Sequence, residues 1–126
     1  MSGDGGMYRQ AIKRCAGLSL AQVALIGLLI AAVLELLTVW MRFGLGLQST
    51  RDTSLIGALT LGIRIHHGYI GLVLLLFAWW FDANLGLRNI LLMLGVGLLV
   101  SDFIHHFLVL WPITGSPQFD LVYPSR

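Results

Sequence analysis

Histidine and carboxylate side chains stand inside the most apolar stretches of this sequence. One such stretch carries Asp102, His105 and His106, and an earlier one carries His66 and His67. Imidazole and carboxylate groups are the ligands that zinc, iron, copper and manganese use in proteins. A carboxylate at the centre of an apolar span costs about 2.5–3.5 kcal/mol, so it is expected to be paired or functional. These residues therefore indicate a metal site or a polar network.

The same groups lie at one level along the predicted helices. All four histidines lie 18–21 residues from Leu85, the centre of the turn between the last two apolar stretches, and Asp102 lies 17 residues from it. Glu35 joins this layer, because Glu35 and His106 each stand five residues before the tryptophan that closes their span. These differences amount to about one helical turn. The sequence thus predicts a single polar layer, which we place in the outer leaflet.

Composition and apolar runs predict an all-α integral membrane protein with three transmembrane helices. Of the 126 residues, 57% are hydrophobic and 11% are charged, whereas soluble domains have about 45–50% and about 25%. The second and third helices must form a tight antiparallel hairpin, because only a short turn separates them. The single domain, 1–126, is divided into a basic N-terminal segment at 1–17, transmembrane helices at 18–41, 63–81 and 89–111, a loop with room for an interfacial helix at 43–62, and a polar tail at 112–126.

Charge and cysteine content exclude several classes of protein. The net charge of +2 comes from scattered residues, so we expect membrane lipid and no nucleic acid as a partner. Cys15 is the only cysteine, which excludes an intrachain disulfide and any site that needs a cysteine pair. Arg9, Lys13 and Arg14 precede the first span. Because basic segments prefer the cytoplasm, we predict a multi-pass protein with a cytoplasmic N-terminus.

Four further side chains could serve the polar layer. Arg64 would be a counter-charge to one of the buried carboxylates. Tyr69 stands one helical turn from His66 and would be a hydrogen-bond or redox neighbour. Asp120 and Tyr123 belong to the tail that leaves the membrane on the side of the layer. They could therefore fold over the layer as a lid.

The favoured hypothesis is an intramembrane centre that holds iron, copper or zinc. Bundle-core sites built from Glu, Asp and His on facing helices are an established arrangement, and this layer has enough ligands for a dinuclear site. Such a centre could support redox or oxygenase chemistry on a lipid-phase substrate, alone or as a subunit. The candidate ligands are His66, His67, His105, His106, Glu35 and Asp102.

Three other functions stay open at this point. The layer could be a hydrogen-bonded network in a non-enzymatic subunit of a membrane complex. Two histidines could hold haem b in an electron carrier. A row of ionisable groups could carry protons or ions, although residues 72–77 and 90–94 place no ionisable side chain in the other half of the bundle.

Residues 102–106, DFIHH, resemble one histidine box of the membrane desaturases and hydroxylases. The other boxes of that family are absent, and the chain is too short to hold them. The resemblance therefore carries no activity over to this protein.

Small residues predict close contacts between helices. Gly27 with Ala31, and Gly97 with Ser101, form pairs four residues apart. Such pairs let helix backbones approach each other within a chain or between copies. Because one three-helix unit buries little surface, we expect a homo-oligomer or a larger membrane complex.

Overall fold

The computed structural model describes residues 4–46, 66–80 and 84–117. Every regular element in these ranges is a helix, which confirms the predicted all-α class. The elements are α1 (Asp4–Ala16), α2 (Leu20–Val39) with a π-helical continuation (Trp40–Gly44), α3 (His67–Trp80), α4 (Leu85–Phe103) with a π-helical continuation (Ile104–Leu110), and a last turn, α5 (Trp111–Thr114).

Two of the described helices are long and apolar enough to cross a membrane. They are Leu20–Gly44, with 25 residues, and Leu85–Thr114, with 30. The second of these begins before the predicted start at Asn89, because Asn84 caps the helix by accepting a hydrogen bond from the Leu87 N–H. These helices overlap the first and third predicted spans.

The described part of the second predicted span is shorter than the other two helices. Helix α3 has 14 residues, His67–Trp80, and His66 precedes it; residues 63–65 and 81 of the predicted span lie outside the described residues. The same is true of most of the predicted loop at 43–62. The arrangement with three transmembrane helices therefore stays a prediction.

Helix α1 is an element that the sequence did not predict. Its first residues include two glycines, which are poor helix formers, and the sequence predicts only a basic segment at 1–17. The helix instead packs against the start of α4, where Gly86 has no side chain to push away the backbone of Ile12. Asn89 Nδ2 also donates to the carbonyl oxygens of Cys15, at 2.8 Å, and Leu18, at 3.4 Å. These contacts bind a carbonyl group in the last turn of α1 and one in the link to α2, and they hold α1 in place.

Helices α3 and α4 run antiparallel and approach each other at glycines. A Cβ atom on Gly71 would lie 2.7 Å from the Gly95 carbonyl oxygen and 2.7 Å from the Leu99 nitrogen. A Cβ atom on Gly95 would lie 2.8 Å from two atoms of Leu75. No larger residue fits at these positions unless the helices separate. The glycines therefore set the distance between the two helices.

Helices α2 and α4 run parallel and also meet at small residues. A Cβ atom on Gly27 would lie 2.9 Å from the side chain of Val96, and one on Gly97 would lie 2.5 Å from that of Ile30. Ala31 and Ser101 are 1% and 0% exposed. Both predicted small-residue pairs therefore pack within the chain. These faces of α2 and α4 are therefore covered by each other and are not open for contacts between copies.

We expect Gly71→Ala to destabilise the protein by about 1–3 kcal/mol, because the added methyl group meets the backbone of α4 and not a movable side chain. The measurement is the free energy of unfolding in detergent. Gly6→Ala is the matched control, since a Cβ atom there meets nothing within 4 Å, and helix propensity makes that change neutral or stabilising. Equal stability of the Gly71 and Gly6 variants would contradict the assigned contact.

Candidate metal centre

Three buried residues bring potential metal ligands together. His66 immediately precedes α3, Asp102 lies in α4, and His106 lies in the π-helical segment that continues α4. Their exposed fractions are 4%, 3% and 5%. They form the one cluster among the described residues whose ligand atoms all lie within 4.8 Å of one another. We call these three residues the His–Asp–His group.

The ligand atoms of the His–Asp–His group form a triangle of suitable size for a metal ion. His66 Nδ1 lies 3.1 Å from His106 Nε2 and 3.8 Å from Asp102 Oδ1, and the last two atoms are 3.6 Å apart. The circle through these three points has a radius of about 2.0 Å, which is the length of a typical bond from zinc to histidine nitrogen or carboxylate oxygen. One ion at the centre could bind all three atoms with little rearrangement of the helices.

The Oδ1 atom of Asp102 lies among imidazole nitrogens without a hydrogen bond to any of them. This atom is also 3.4 Å from His67 Nδ1. This oxygen is buried and has no hydrogen-bond partner among the described residues. A buried polar atom that is left unpaired costs about 1–3 kcal/mol, and a charged one costs more. A cation between Asp102 and the histidines would remove this cost.

Gly68 allows this carboxylate to sit directly against α3. A Cβ atom at Gly68 would lie 2.6 Å from Asp102 Oδ2 and 2.9 Å from Asp102 Cβ. Any side chain there would push Asp102 away from α3, whose N-terminal end follows His66. The absence of a side chain at Gly68 thus places the carboxylate directly against the first turn of α3.

The orientation of the His106 ring is set by a backbone carbonyl. His106 Nδ1 lies 2.8 Å from the carbonyl oxygen of Pro117. A carbonyl only accepts hydrogen bonds, so Nδ1 carries the proton. In the neutral ring, Nε2 then has its lone pair free to bind a metal, and it is the atom that faces His66 and Asp102. Histidines that bind metals very often have an outer partner of this kind.

The short distance between His66 and His106 has two possible chemical meanings. Because His106 Nε2 is an acceptor, a hydrogen bond between the rings requires a proton on His66 Nδ1. A shared metal ion would instead require the lone pair of His66 Nδ1 and would leave the proton on Nε2. The tautomer of His66 therefore distinguishes a metal centre from a plain hydrogen bond.

Glu35 and His105 form a separate pair beside this group. His105 Nδ1 lies 3.1 Å from Glu35 Oε1, and each side chain is 12% exposed. The hydroxyl of Thr38 donates to the Glu35 carbonyl oxygen at 3.0 Å, and its oxygen lies 3.4 Å from Glu35 Oε2. We call Glu35 and His105 the Glu35–His105 pair. It joins α2 to the π-helical segment.

The structure separates His105 from Asp102 and His106, although the three residues have helical spacing. Asp102, His105 and His106 stand at i, i+3 and i+4, a spacing that predicts one shared face of an α-helix. Asp102 and His106 do turn towards His66, whereas His105 turns towards α2. Two features explain this: adjacent residues point about 100° apart, and from Ile104 onwards the π-helical hydrogen bonds, i→i+5, replace the α-helical pattern on which the prediction was based.

The remaining predicted residues have different positions. His67 has 32% of its side chain exposed and contacts the layer through Asp102. The Tyr69 ring packs edge-on against His66, with ring centroids 5.2 Å apart, and its role as a hydrogen-bond or redox neighbour stays a prediction. Arg64, Asp120 and Tyr123 lie outside the described residues, so the predicted counter-charge and lid stay predictions.

Pro117 is the one contributor that sequence reasoning missed. It acts through its backbone carbonyl, and its side chain gives no chemical signal. The only hint in the sequence is the ITGSP stretch after the last span, whose glycine and proline indicate a turn.

The sequence matches no protein-family model, and no curated protein or solved structure shows significant similarity to it.

We expect Glu35 and His105 to be energetically coupled, since removing one member leaves the other partly buried without its partner. A double-mutant cycle with Glu35→Gln and His105→Gln should give a coupling energy of about 0.5–3 kcal/mol from unfolding in detergent. The control cycle pairs Glu35→Gln with Asn89→Ala near the other end of α4, where effects should add within about 0.5 kcal/mol. Additivity in both cycles would show that the Glu35–His105 contact has no energetic role.

Proposed function

We propose that this protein is an integral membrane metalloprotein with a mononuclear centre formed by His66, Asp102 and His106. The observation that carries the proposal is the triangle of three buried ligand atoms around a point about 2.0 Å from each, which is a metal–ligand bond length. Two further features support it. Asp102 Oδ1 is buried without a hydrogen bond, and Pro117 orients the lone pair of His106 Nε2 towards the same point.

The ligand types favour iron(II) or zinc over the other metals. Two histidines and one carboxylate are the ligand set of mononuclear non-haem iron oxygenases, and hydrolytic zinc sites use two histidines and a glutamate. Copper would be expected with a sulfur ligand or a square-planar set. We therefore narrow the three metals predicted from the sequence to iron or zinc.

The number of protein ligands favours a catalytic centre. Structural zinc sites have four protein ligands, whereas catalytic sites have three and leave a position for water or substrate. Because the layer lies within apolar helices, the substrate would be a molecule of the lipid phase, such as a quinol or another hydrocarbon-bearing compound. With iron, the reaction class would be oxidation of that substrate by dioxygen; with zinc, it would be hydrolysis.

The geometry disfavours haem between these two histidines. Axial nitrogens on opposite sides of an iron are separated by about 4 Å, twice a bond of about 2.0 Å, with the porphyrin between the two rings. His66 Nδ1 and His106 Nε2 are 3.1 Å apart, and their rings meet edge to face with centroids at 4.7 Å. A porphyrin does not fit between rings in this contact.

The directions of the helices support a protein with three transmembrane spans. Helices α2 and α4 are the two candidate spans, and they pack in parallel. If both cross the bilayer in the same direction, the chain between them must return across it. Helix α3 is antiparallel to α4 and belongs to the apolar run at 63–81. We therefore propose that α3 is the returning span.

Side chains on the outer surface of the bundle suit contact with lipid. Leu36 is 73% exposed, and Trp79 and Trp80 are 85% and 87% exposed. Exposed apolar surface on this scale is unfavourable in water and favourable in a bilayer. The paired tryptophans at the end of α3 are typical of residues at the membrane interface.

We expect the purified protein to bind about one equivalent of iron(II) or zinc in this three-ligand centre. His106→Gln and Asp102→Asn should each weaken metal affinity by more than about 100-fold, since loss of an outer partner alone costs about 10–100-fold. The measurement is elemental analysis and a metal titration on protein in detergent. Anaerobic loading keeps iron in the ferrous state.

His105→Gln is the matched control for the His106 variant. It changes the same residue type at the neighbouring position, but its ring contacts Glu35, so metal binding should be retained. The proposal would be wrong if wild-type protein binds no metal. It would also be wrong if the His105 and His106 variants lose metal equally.

We expect the N-terminal segment and the turn before α4 to lie on the cytoplasmic side, and the end of α2 on the other side. In a Cys15→Ala background, Gly6→Cys and Leu85→Cys should react with a membrane-impermeant maleimide only in inverted vesicles. Leu45→Cys should react only in sealed cells. Labelling of positions 6 and 85 from opposite sides would contradict the three-span proposal.

A further inference from the structure

The segment after the last helical turn folds back onto the metal centre. Gly115 follows α5 with a positive φ of 75°, and its N–H donates to the Trp111 carbonyl oxygen at 2.9 Å. The Ser116 N–H lies 3.4 Å from Thr114 Oγ1, and the Thr114 hydroxyl donates to the Leu110 carbonyl oxygen at 2.7 Å. The chain therefore reverses direction immediately after the helix.

This reversal brings the Pro117 carbonyl oxygen to within 2.8 Å of His106 Nδ1. The two residues are 11 positions apart in the sequence, so the contact depends on the turn and not on helix geometry. Gly115 makes the turn possible, because a positive φ is strained for most other residues.

A neutral imidazole has one proton, which can reside on either nitrogen. Without an acceptor at Nδ1, the proton of His106 would be free to move to Nε2. That form has no lone pair at the atom that faces His66 Nδ1 and Asp102 Oδ1, and it cannot bind a metal there. The acceptor at Nδ1 therefore decides which nitrogen of His106 is available.

We propose that Pro117 is a positioning residue of the metal centre: its carbonyl, presented by the Gly115 turn, holds His106 in the tautomer whose Nε2 binds the metal. This inference rests on the proposed function for its effect on metal affinity. The tautomer itself is a property of the metal-free chain. The segment after the last span thus has a defined role in the centre.

The test changes the turn, because the carbonyl cannot be removed by substitution. Gly115→Val should disrupt the turn, since a β-branched residue at positive φ is a strong outlier. We expect metal affinity to fall about 10–100-fold, as for other outer partners of histidine ligands. Gly115→Asn should restore most of the affinity, because asparagine tolerates the left-handed conformation.

Gly46→Val is the matched control. Gly46 also has a positive φ, of 68°, and a Cβ atom at either glycine meets nothing within 4 Å. Both valine variants therefore introduce similar backbone strain just after the end of a helical segment, but only the one at position 115 lies on the path to Pro117. We expect the Gly46 variant to bind metal as wild type does.

The second readout is the tautomer of His106 in metal-free protein. Nitrogen-15 NMR of histidine-labelled protein at about pH 8.5, two units above the usual imidazole pKa, distinguishes protonated from unprotonated ring nitrogens. His106→Gln assigns the signal. Wild type and the Gly46 variant should carry the proton on Nδ1, and Gly115→Val should shift population towards Nε2.

The outcomes separate this inference from the proposed function. A wild-type proton on Nε2, or equal loss of affinity in the two valine variants, would overturn the role of Pro117 even if metal binds. Failure of wild type to bind any metal would overturn the proposed function and the effect on affinity, and the NMR result would then report the tautomer alone.

Discussion

The buried carboxylate of Asp102 is the constraint on which the rest of the layer depends. It is 3% exposed in a bundle of apolar helices, and its Oδ1 atom has no hydrogen-bond partner among the described residues. Its cost must be offset by positive charge or by imidazole donors. Gly68 removes the side chain that would displace the carboxylate, and His66 and His106 then lie on either side of it. The close approach at Gly68 and the arrangement of the His–Asp–His group thus both involve this one carboxylate.

Helix α4 connects all parts of the described chain. Its first turns hold α1 through Gly86 and Asn89. Its middle packs against α3 at Gly95 and against α2 at Gly97, and its π-helical end carries the two adjacent histidines. A π-helical segment changes the direction in which successive side chains point, and such segments are frequent at functional sites. Here the segment lies where one histidine faces α2 and the next faces α3. One continuous helix can therefore present a histidine to α2 and another to α3 at the same depth.

The level of the layer could be predicted from the sequence, because depth depends only on the rise per residue and on recognisable helix ends. Glu35 and His105, on different helices, were predicted at the same depth and lie 3.1 Å apart. The direction of each side chain could not be predicted in the same way. It depends on the π-helical geometry after Phe103 and on which helix packs where.

The contact of the Pro117 carbonyl and the presence of helix α1 could not be predicted for a different reason. The Pro117 carbonyl belongs to the backbone, so no residue type marks it as a partner of His106. Helix α1 was missed because its glycine-rich start has low helix propensity, and the contacts that hold it come from residues far away in the sequence. The propensities and spacing of neighbouring residues do not predict contacts between residues that lie far apart in the sequence.

The division of the layer also bears on the choice between a metal centre and a structural network. In a purely structural layer, polar groups should satisfy one another, as Glu35 and His105 do at 3.1 Å. Asp102 behaves differently, since three imidazole nitrogens surround its Oδ1 at 3.4–3.8 Å and none of them forms a hydrogen bond with it. These distances are too long for good hydrogen bonds and, for the His66 and His106 nitrogens, suit ligands that share an ion. The Glu35–His105 pair thus serves as an internal reference for what a satisfied contact looks like in this bundle, and the contrast favours a cation at the His–Asp–His group. Because that pair uses Glu35 and His105 for each other, the geometry supports one metal ion in preference to the dinuclear site that the ligand count alone allowed.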